Sequence, residues 1–269
     1  MALNIAVCVK VSPDPEKYNS IQLDPVTRAL IREGIDSVIS STDLHALELA
    51  LQLKSKFGGK ITLFSMGPGS CEKQLREGLS YGCDAAVLLS DRKLGGADAL
   101  ATSYSLYKVI EQSGKFDLVL LGNASDDGAT AHVPSQVGEL FGVPHVTDII
   151  SCEMNDESSI LVQKETGNGV STYKVTLPAV IGVTKRLNKV RHPSVMGIFS
   201  AKNKPLSVLT AADIEDLDES RIGLDGSPTK AVGFLDADFH RDSTEIKGST
   251  EEKAAEIVKI VRTLTGTRR

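Results

Sequence analysis

The chain predicts an α/β fold: a mostly parallel, Rossmann-like sheet with helices on both faces, an edge β-hairpin, and an extended C-terminal arm that ends in a helix. Three observations predict it. Short apolar runs rich in β-branched residues alternate with stretches of helical period, and the joints between them are short. The runs end in glycine, proline or small polar residues, which is the loop chemistry of parallel-strand ends. Near the middle, "GNG" at 167–169 separates two segments of period-two alternation, the mark of a hairpin.

The elements follow in order. "NIAVCVKV" reads as a buried first strand closed by "SPDP". "TDLHALELALQLKSKFGG" opens on cap residues, repeats Leu44, Leu47 and Leu51 at helical spacing, and closes at Gly58-Gly59. "KITLFSMGPGS" is a second strand running into a Gly-Pro-Gly turn, and "SCEKQLREGLSYGC" a helix with Glu72 near the positive end of its dipole. "AAVLLSD" is a third strand, "GADALATSYSLYKVIEQSGKF" a helix, and "DLVLLGN" a fourth strand. After Pro144, "ILVQKET" and "VSTYKVTL" form the hairpin and "PAVIGVT" the final buried strand. From Lys185 the chain turns basic and irregular; a run poor in apolar anchors then leads to the amphipathic "TEEKAAEIVKIVRTLTG". Residues 1–205 are therefore expected to form the α/β domain. Residues 206–269 are expected to form an arm and helix that lie on a partner chain, because an arm unable to bury its own surface needs one.

Composition excludes several classes. With 41% hydrophobic residues over 269 positions, the chain can bury a core in one domain with an appendage. A formal net charge of −5, with basic residues scattered, lacks the footprint of a nucleic-acid binder. The N-terminal "MALNIAVCVKVSPDPEKY" reads as neither signal peptide nor membrane span, so the cytoplasm is expected. Cys8, Cys71, Cys83 and Cys152 show no Cys-x-x-Cys spacing and are expected as buried free thiols.

Loop chemistry concentrates in "GNASDDGATAHVP", which follows the fourth strand. Gly122 and Gly128 permit close backbone approach, and a helix is expected to begin near Thr130, with Ala131, His132 and Val133 in its first turn. Read alone, the segment is first a capped helix start, with a phosphate cradle as the alternative. Asp126 and Asp127 lack a third carboxylate at fixed spacing, so no metal is assigned. The turn Ser65 to Gly69 offers backbone groups to an adenine, yet a strand-to-helix turn needs glycine anyway. His45 and His145 read as surface or packing residues. Nucleophile-elbow, Walker and Gly-x-Gly-x-x-Gly patterns are missing from the sequence, and no catalytic residue is assigned.

Taken in order, "CVKVSPDP", "ALELALQLK", "SMGPGSCEKQLREGLSYGCD", "DLVLLGNASDDGATAHVPSQVGELFGVP" and "LPAVIGVTKRLNKVRHPSVMGIFSAKNKP" resemble the β subunit of electron-transfer flavoproteins, the group that includes FixA, over nearly the whole chain. The resemblance implies the adenine-nucleotide α-hydrolase-like form of the fold. "LSDRKLGGADALATSY" and "IGLDGSPTKAV" resemble the subgroup whose β subunit carries FAD and takes part in electron bifurcation; the better-known subgroup holds AMP instead. Implied with it are an α subunit bearing a second FAD, and NADH as hydride donor. Ferredoxin or flavodoxin would take one electron, and a flavin-dependent dehydrogenase, reached through the α-subunit FAD, would take the other.

On that resemblance Cys8, Val9, Ser40 and Met66 would line the adenosine end of the FAD. Gly122, Asp127 and the stretch Gly128, Ala129, Thr130, Ala131, His132 and Val133 would hold the phosphates. Asp98, Thr102 and Ser103 would reach the flavin or its ribityl chain, with an N-cap as the plain alternative for Asp98. The chain departs from the family pattern at Asn123-Ala124, where a basic residue and Gln are usual, at His132, where Gln is usual, and at Ser40, where Asn is usual. The segment from Arg186 to Ala201 corresponds to the family's docking loop, with Val195 and Met196 as an apolar knob and Arg191 and Lys202 as rim charges; the alternative is a mobile basic loop packing on the α subunit. Two rival functions stay open: a non-bifurcating β subunit with structural AMP, and a stand-alone adenine-nucleotide-binding protein.

Overall fold

The computed structural model describes residues 2–20, 22–23, 30–31, 36–230 and 243–266. They fall into two compact units, Met1–Val232 and Gly233–Arg269.

The first unit is built on a nine-stranded sheet whose strands we number in chain order: β1 (Leu3–Cys8), β2 (Gly59–Met66), β3 (Ala85–Leu89), β4 (Leu118–Gly122), β5 (His145–Asp156), β6 (Ser159–Thr166), β7 (Gly169–Thr176), β8 (Ala179–Val183) and β9 (Leu206–Leu209). Their spatial order is β7-β6-β5-β8-β4-β1-β2-β3-β9. All neighbouring pairs are parallel except β5 with β6 and β6 with β7. Ile5 of β1 lies level with Ile61 of β2 on one side and Leu118 of β4 on the other, so the centre of the sheet is apolar throughout. The expected hairpin is β6–β7, at the sheet edge.

Helices α1 (Ser41–Phe57), α2 (Glu72–Ser80), α3 (Ala99–Gln112), α4 (Val133–Phe141) and α5 (Val195–Ala201) belong to this unit. Leu47, Ala50 and Leu51 of α1 join Leu75 and Leu79 of α2 in one core against the sheet. Tyr104, Val109 and Ile110 of α3 join Val137 of α4 in a second. These pairs recur at the spacing of one helix face, which is why the segments stay helical when docked. Two cores on one sheet make the architecture doubly wound. The cysteines are free; Cys8, Cys71 and Cys83 are buried, and Cys152 is partly so.

The expected boundary at 205/206 shifts. Leu206–Leu209 pairs in parallel with β3, and Ala211, Ile214 and Ile222 are buried in the second core, so the first unit continues to Val232. Four residues with only two partly buried apolar side chains carry little strand signal; the pairing with β3 supplies it. The segment 231–242 lies outside the described residues.

In the second unit a helix, α6 (Thr250–Gly266), begins with a capping box. Ser249 Oγ accepts from the Glu252 N–H at 3.2 Å, and Glu252 Oε2 accepts from the Ser249 N–H at 2.8 Å. Ile257, Val258, Ile260, Val261 and Leu264 recur along one side of it and are exposed. No helix among the described residues is long and apolar enough to cross a membrane.

Candidate functional site

The chain passes from β1 through β2 to β3 on one side, then returns to place β4 on the other side of β1. Loops leaving the carboxyl ends of β1 and β4 therefore diverge, and a crevice opens between them, as this topology requires. A cavity of about 660 Å³ lies there. Its wall comes from Cys8 to Lys10 after β1, Leu121 to Ser125 after β4, Met66 after β2, and the amino ends of α3 and α4.

Asp43, in the first turn of α1, ties the two strand ends together. Its carboxylate accepts the Lys10 N–H and the Gly122 N–H, each at 2.7 Å. Burial pushes its pKa up to about 7, against the two N–H bonds and the nearby Lys10 charge. Gly122 is glycine because α1 comes so close: a Cβ there would lie 2.4 Å from Thr42 Oγ1 and 2.5 Å from Asp43 Oδ1. Its small size thus serves packing of the helix against the strand, besides exposing the backbone to the cavity.

The loop from Asn123 to His132 is held by its own side chains. Asp126 accepts from the Ser41 N–H and hydroxyl, each at 2.9 Å, from the Ser40 hydroxyl at 3.3 Å and from Lys185 Nζ at 3.2 Å. Burial works against that charge, but these bonds keep its pKa below the ordinary carboxylate value. Asp127 accepts from Lys10 Nζ at 2.6 Å and from the Gly128 N–H at 2.6 Å. Asn123 donates to Asp148, and its Oδ1 is buried without a donor. Both aspartates are thus committed to protein donors, and no cluster of His, Cys, Asp or Glu suited to a metal occurs among the described residues.

The helix begins later than expected, at Val133 with Pro134 in its first turn and His132 as N-cap. The stretch before it is a loop in which Ala129 and Ala131 take positive φ, 46° and 56°. The N–H groups of Thr130, Ala131, His132 and Val133 have no acceptor among the described residues, and these four residues line the cavity. Unpaired N–H groups at a helix start suit an anion.

Of the expected ligand residues, Cys8, Val9, Met66, Asp98, Thr102, Gly122, Gly128, Thr130, Ala131, His132 and Val133 line the cavity. Four do not. Ser40 bonds Asp126, and Asp127 bonds Lys10. Ser103 spans α3 and α4, donating to the Ala99 carbonyl at 2.6 Å and to Gln136 Oε1 at 2.8 Å. Ala129 is absent from the cavity wall. Asp98 is an N-cap, accepting from Leu100 and Ala101, and its second oxygen accepts the N–H and hydroxyl of Thr229 at 3.0 and 2.7 Å. That bond brings Pro228 and Thr229 into the wall from far along the chain. Lys10, Asp43, Leu94, Gln136 and Thr229 are lining residues that reading by motif missed. Lys10 alone carried a signal, as the one charge within the apolar run "NIAVCVKV".

Arg191, the expected rim charge, is 44% exposed, and its guanidinium grips buried Glu48. The segment beyond it forms α5, anchored on α2 where a Cβ on Gly197 would meet the Ser80 carbonyl at 2.2 Å, and capped by Ser194. Val195, Met196, Ile198 and Phe199 face outward at 69%, 76%, 49% and 63% exposure, with the Lys202 ammonium over the Phe199 ring.

Fold and cavity together define a doubly wound α/β protein with its ligand site at the topological switch point. A model of the electron transfer flavoprotein domain matches residues 27–214. The chain is 39% identical over 257 residues to the electron transfer flavoprotein subunit beta of Thermoanaerobacterium thermosaccharolyticum, covering 95% of this chain and 96% of that one. Identity is 36% to the subunit CarD of the caffeyl-CoA reductase-Etf complex of Acetobacterium woodii (94% and 95% covered) and 33% to protein FixA of Bradyrhizobium diazoefficiens (94% and 88% covered). The chain belongs to the electron-transfer flavoprotein family, among the β subunits and FixA proteins. Membership implies an α subunit as its partner and a role in electron transfer.

Proposed function

We propose that this chain is the FAD-carrying β subunit of a bifurcating electron-transfer flavoprotein, with FAD in the crevice between β1 and β4. The observation that carries the reading is the row of free N–H groups from Thr130 to Val133 on a cavity of about 660 Å³. Such a volume falls within the range of small-molecule sites. Each part of FAD meets suitable chemistry. The diphosphate suits the N–H row; the adenosine suits the wall of Cys8, Val9 and Met66; the flavin ring suits Leu94, Leu100, Leu106 and Pro228, with the Thr102 hydroxyl beside them. Bound there, FAD supplies two-electron uptake from NADH and one-electron release. That is the chemistry needed to feed ferredoxin or flavodoxin and, by way of the α-subunit FAD, a partner dehydrogenase.

The protein's own work is binding and orientation. Asp43 fixes the spacing of the strand ends, Asp126 fixes the loop on α1, and the bond from Asp98 to Thr229 closes one wall. AMP in place of FAD would leave the apolar wall around Leu94 and Leu100 uncovered, which favours the dinucleotide. The outward side chains of α5 support docking of a flavin-dependent dehydrogenase, and the apolar side of α6 supports packing on the α subunit. The complex would work in the cytoplasm. A relative that is a subunit of a caffeyl-CoA reductase-Etf complex supports the pairing with a dehydrogenase.

The test is nucleotide release from the purified αβ pair. Two FAD per pair is expected; one FAD with one AMP would leave only the non-bifurcating reading. NADH oxidation by the complex should require both a low-potential and a high-potential acceptor. If NADH reduces no flavin, bifurcation fails.

A further inference from the structure

We propose that Lys10 is the phosphate-binding cation of this cavity, and that Asp127 and Ser125 are positioning residues that hold its ammonium there. The inference rests on the reading that the cavity takes an adenine nucleotide. It adds the residue that discriminates a charged ligand from a neutral one.

Among the described residues lining the cavity, Lys10 is the only lysine or arginine. It stands two residues beyond the end of β1, and its side chain crosses to the loop after β4. There Nζ lies 2.6 Å from Asp127 Oδ1 and 3.3 Å from Ser125 Oγ. The ammonium is also 3.9 Å from where a Cβ on Gly128 would sit, so it stands beside the backbone that leads into the free N–H row. Lys10 lines the cavity and Asp127 does not. Because the ammonium bonds Ser125 and stands beside Gly128, which line the cavity with it, it is the charge we place toward a ligand.

An ammonium carries three protons, and two point to Asp127 and Ser125, which leaves one for an incoming oxygen. The other charges on the wall do not compete for that oxygen. Asp98 accepts four hydrogen bonds from its own cap and from Thr229, and Asp43 is buried beneath the strand ends. Asn123, the nearest polar side chain after Gly122, donates its amide to Asp148 and brings no charge. A diphosphate on the N–H row thus has one lysine or arginine among the described residues of the wall, and its strength comes from charge as well as from direction.

The test is calorimetric titration of adenosine and of ADP into the full chain purified with its α subunit and stripped of nucleotide. Wild type is expected to bind both, ADP more tightly. Lys10→Met is expected to weaken ADP roughly 10- to 100-fold, the worth of a charge-assisted hydrogen bond, and to leave adenosine within about twofold. Lys10→Arg, which keeps the charge, should recover most of the loss for ADP. Unchanged ADP affinity in Lys10→Met overturns the proposal while leaving the cavity reading intact. Equal losses for adenosine and ADP also overturn it, because Lys10 would then act on the loop and not on the phosphates. If wild type binds neither compound, the reading of the cavity itself fails.

Discussion

The Arg191 guanidinium closes on Glu48 through two hydrogen bonds, Nε to Oε2 at 2.7 Å and Nη2 to Oε1 at 2.8 Å. The Glu48 side chain is only 4% exposed, and Gln52 donates to it as well. Burial alone would raise its pKa; the Arg191 and Gln52 bonds outweigh that and hold it below the ordinary value. This pair pins the stretch before α5 to helix α1. Arg191→Met should strand a buried carboxylate and cost about 3 kcal/mol at neutral pH, the low end for a broken buried pair because the arginine is half exposed. Glu48→Gln combined with Arg191→Met should recover much of it. In wild type the contribution is present above the unfolded glutamate pKa and is lost as pH falls through the lower folded value. Urea unfolding of the three proteins at pH 8 and at about pH 3, on either side of the glutamate range, checks both points.

Asp43 gives the opposite sign. Its folded pKa, pushed up to about 7, lies above the unfolded value, so its contribution is full below the unfolded pKa and is lost as pH rises from about 4 to about 7. Asp43→Asn keeps one acceptor for the Lys10 and Gly122 N–H groups where the acid has two, which costs about 1–3 kcal/mol. The stability gap between wild type and variant should be wider at pH 5 than at pH 8. An equal gap at the two values would show that Asp43 does not titrate in this window.

Alternating strands and helices were legible because each buries a continuous face, as with Leu118 to Leu121 on β4 and Leu47 with Leu51 on α1. β9 was not legible, since its pairing with β3 and not its composition makes it a strand. The cavity was legible in position, because the switch point follows from strand order, but only partly in its residues. Positive φ at Ala129 and Ala131 has no sequence mark, since alanine does not announce the left-handed region as glycine does. Ser40, Ser103 and Asp127 carry polar groups of the right kind, yet each is consumed by a neighbour that only the folded chain brings near. Thr229 entered the wall from 131 positions away through two bonds to Asp98, a pairing invisible in one dimension.

The bond between Asp98 and Thr229 separates two roles. Asp98→Ala removes both the α3 cap and the tether, and should cost about 1–2 kcal/mol. Thr229→Val removes only the hydroxyl donor and should cost less than 1 kcal/mol, while speeding hydrogen exchange of the Thr229 N–H, which the same carboxylate accepts. Exchange measured by mass spectrometry on peptides covering 223–230 checks the difference. Equal protection in wild type and Thr229→Val would mean that the wall is held by the packing of Ile222 in the core instead.

Exposure on α5 yields a prediction in which stability and function part company. Met196 and Phe199 are 76% and 63% exposed, while the helix itself is fixed by Gly197 on Ser80 and by Arg76 Nη1, which donates to the Ala201 and Lys204 carbonyls at 3.2 and 2.7 Å. Met196→Glu and Phe199→Ser should therefore shift folding stability by no more than about 0.5 kcal/mol. An apolar anchor that seats in a partner pocket is typically worth about 2 kcal/mol, so electron transfer to the cognate dehydrogenase should fall roughly 30-fold for either variant. Reduction of the complex by NADH should be unchanged, because α5 contributes no residue to the cavity. Steady-state transfer against dehydrogenase concentration reads the effect as a raised half-saturation point. Loss of NADH reduction together with transfer would instead show that α5 acts through the fold, and full transfer in both variants would remove α5 from the docking surface.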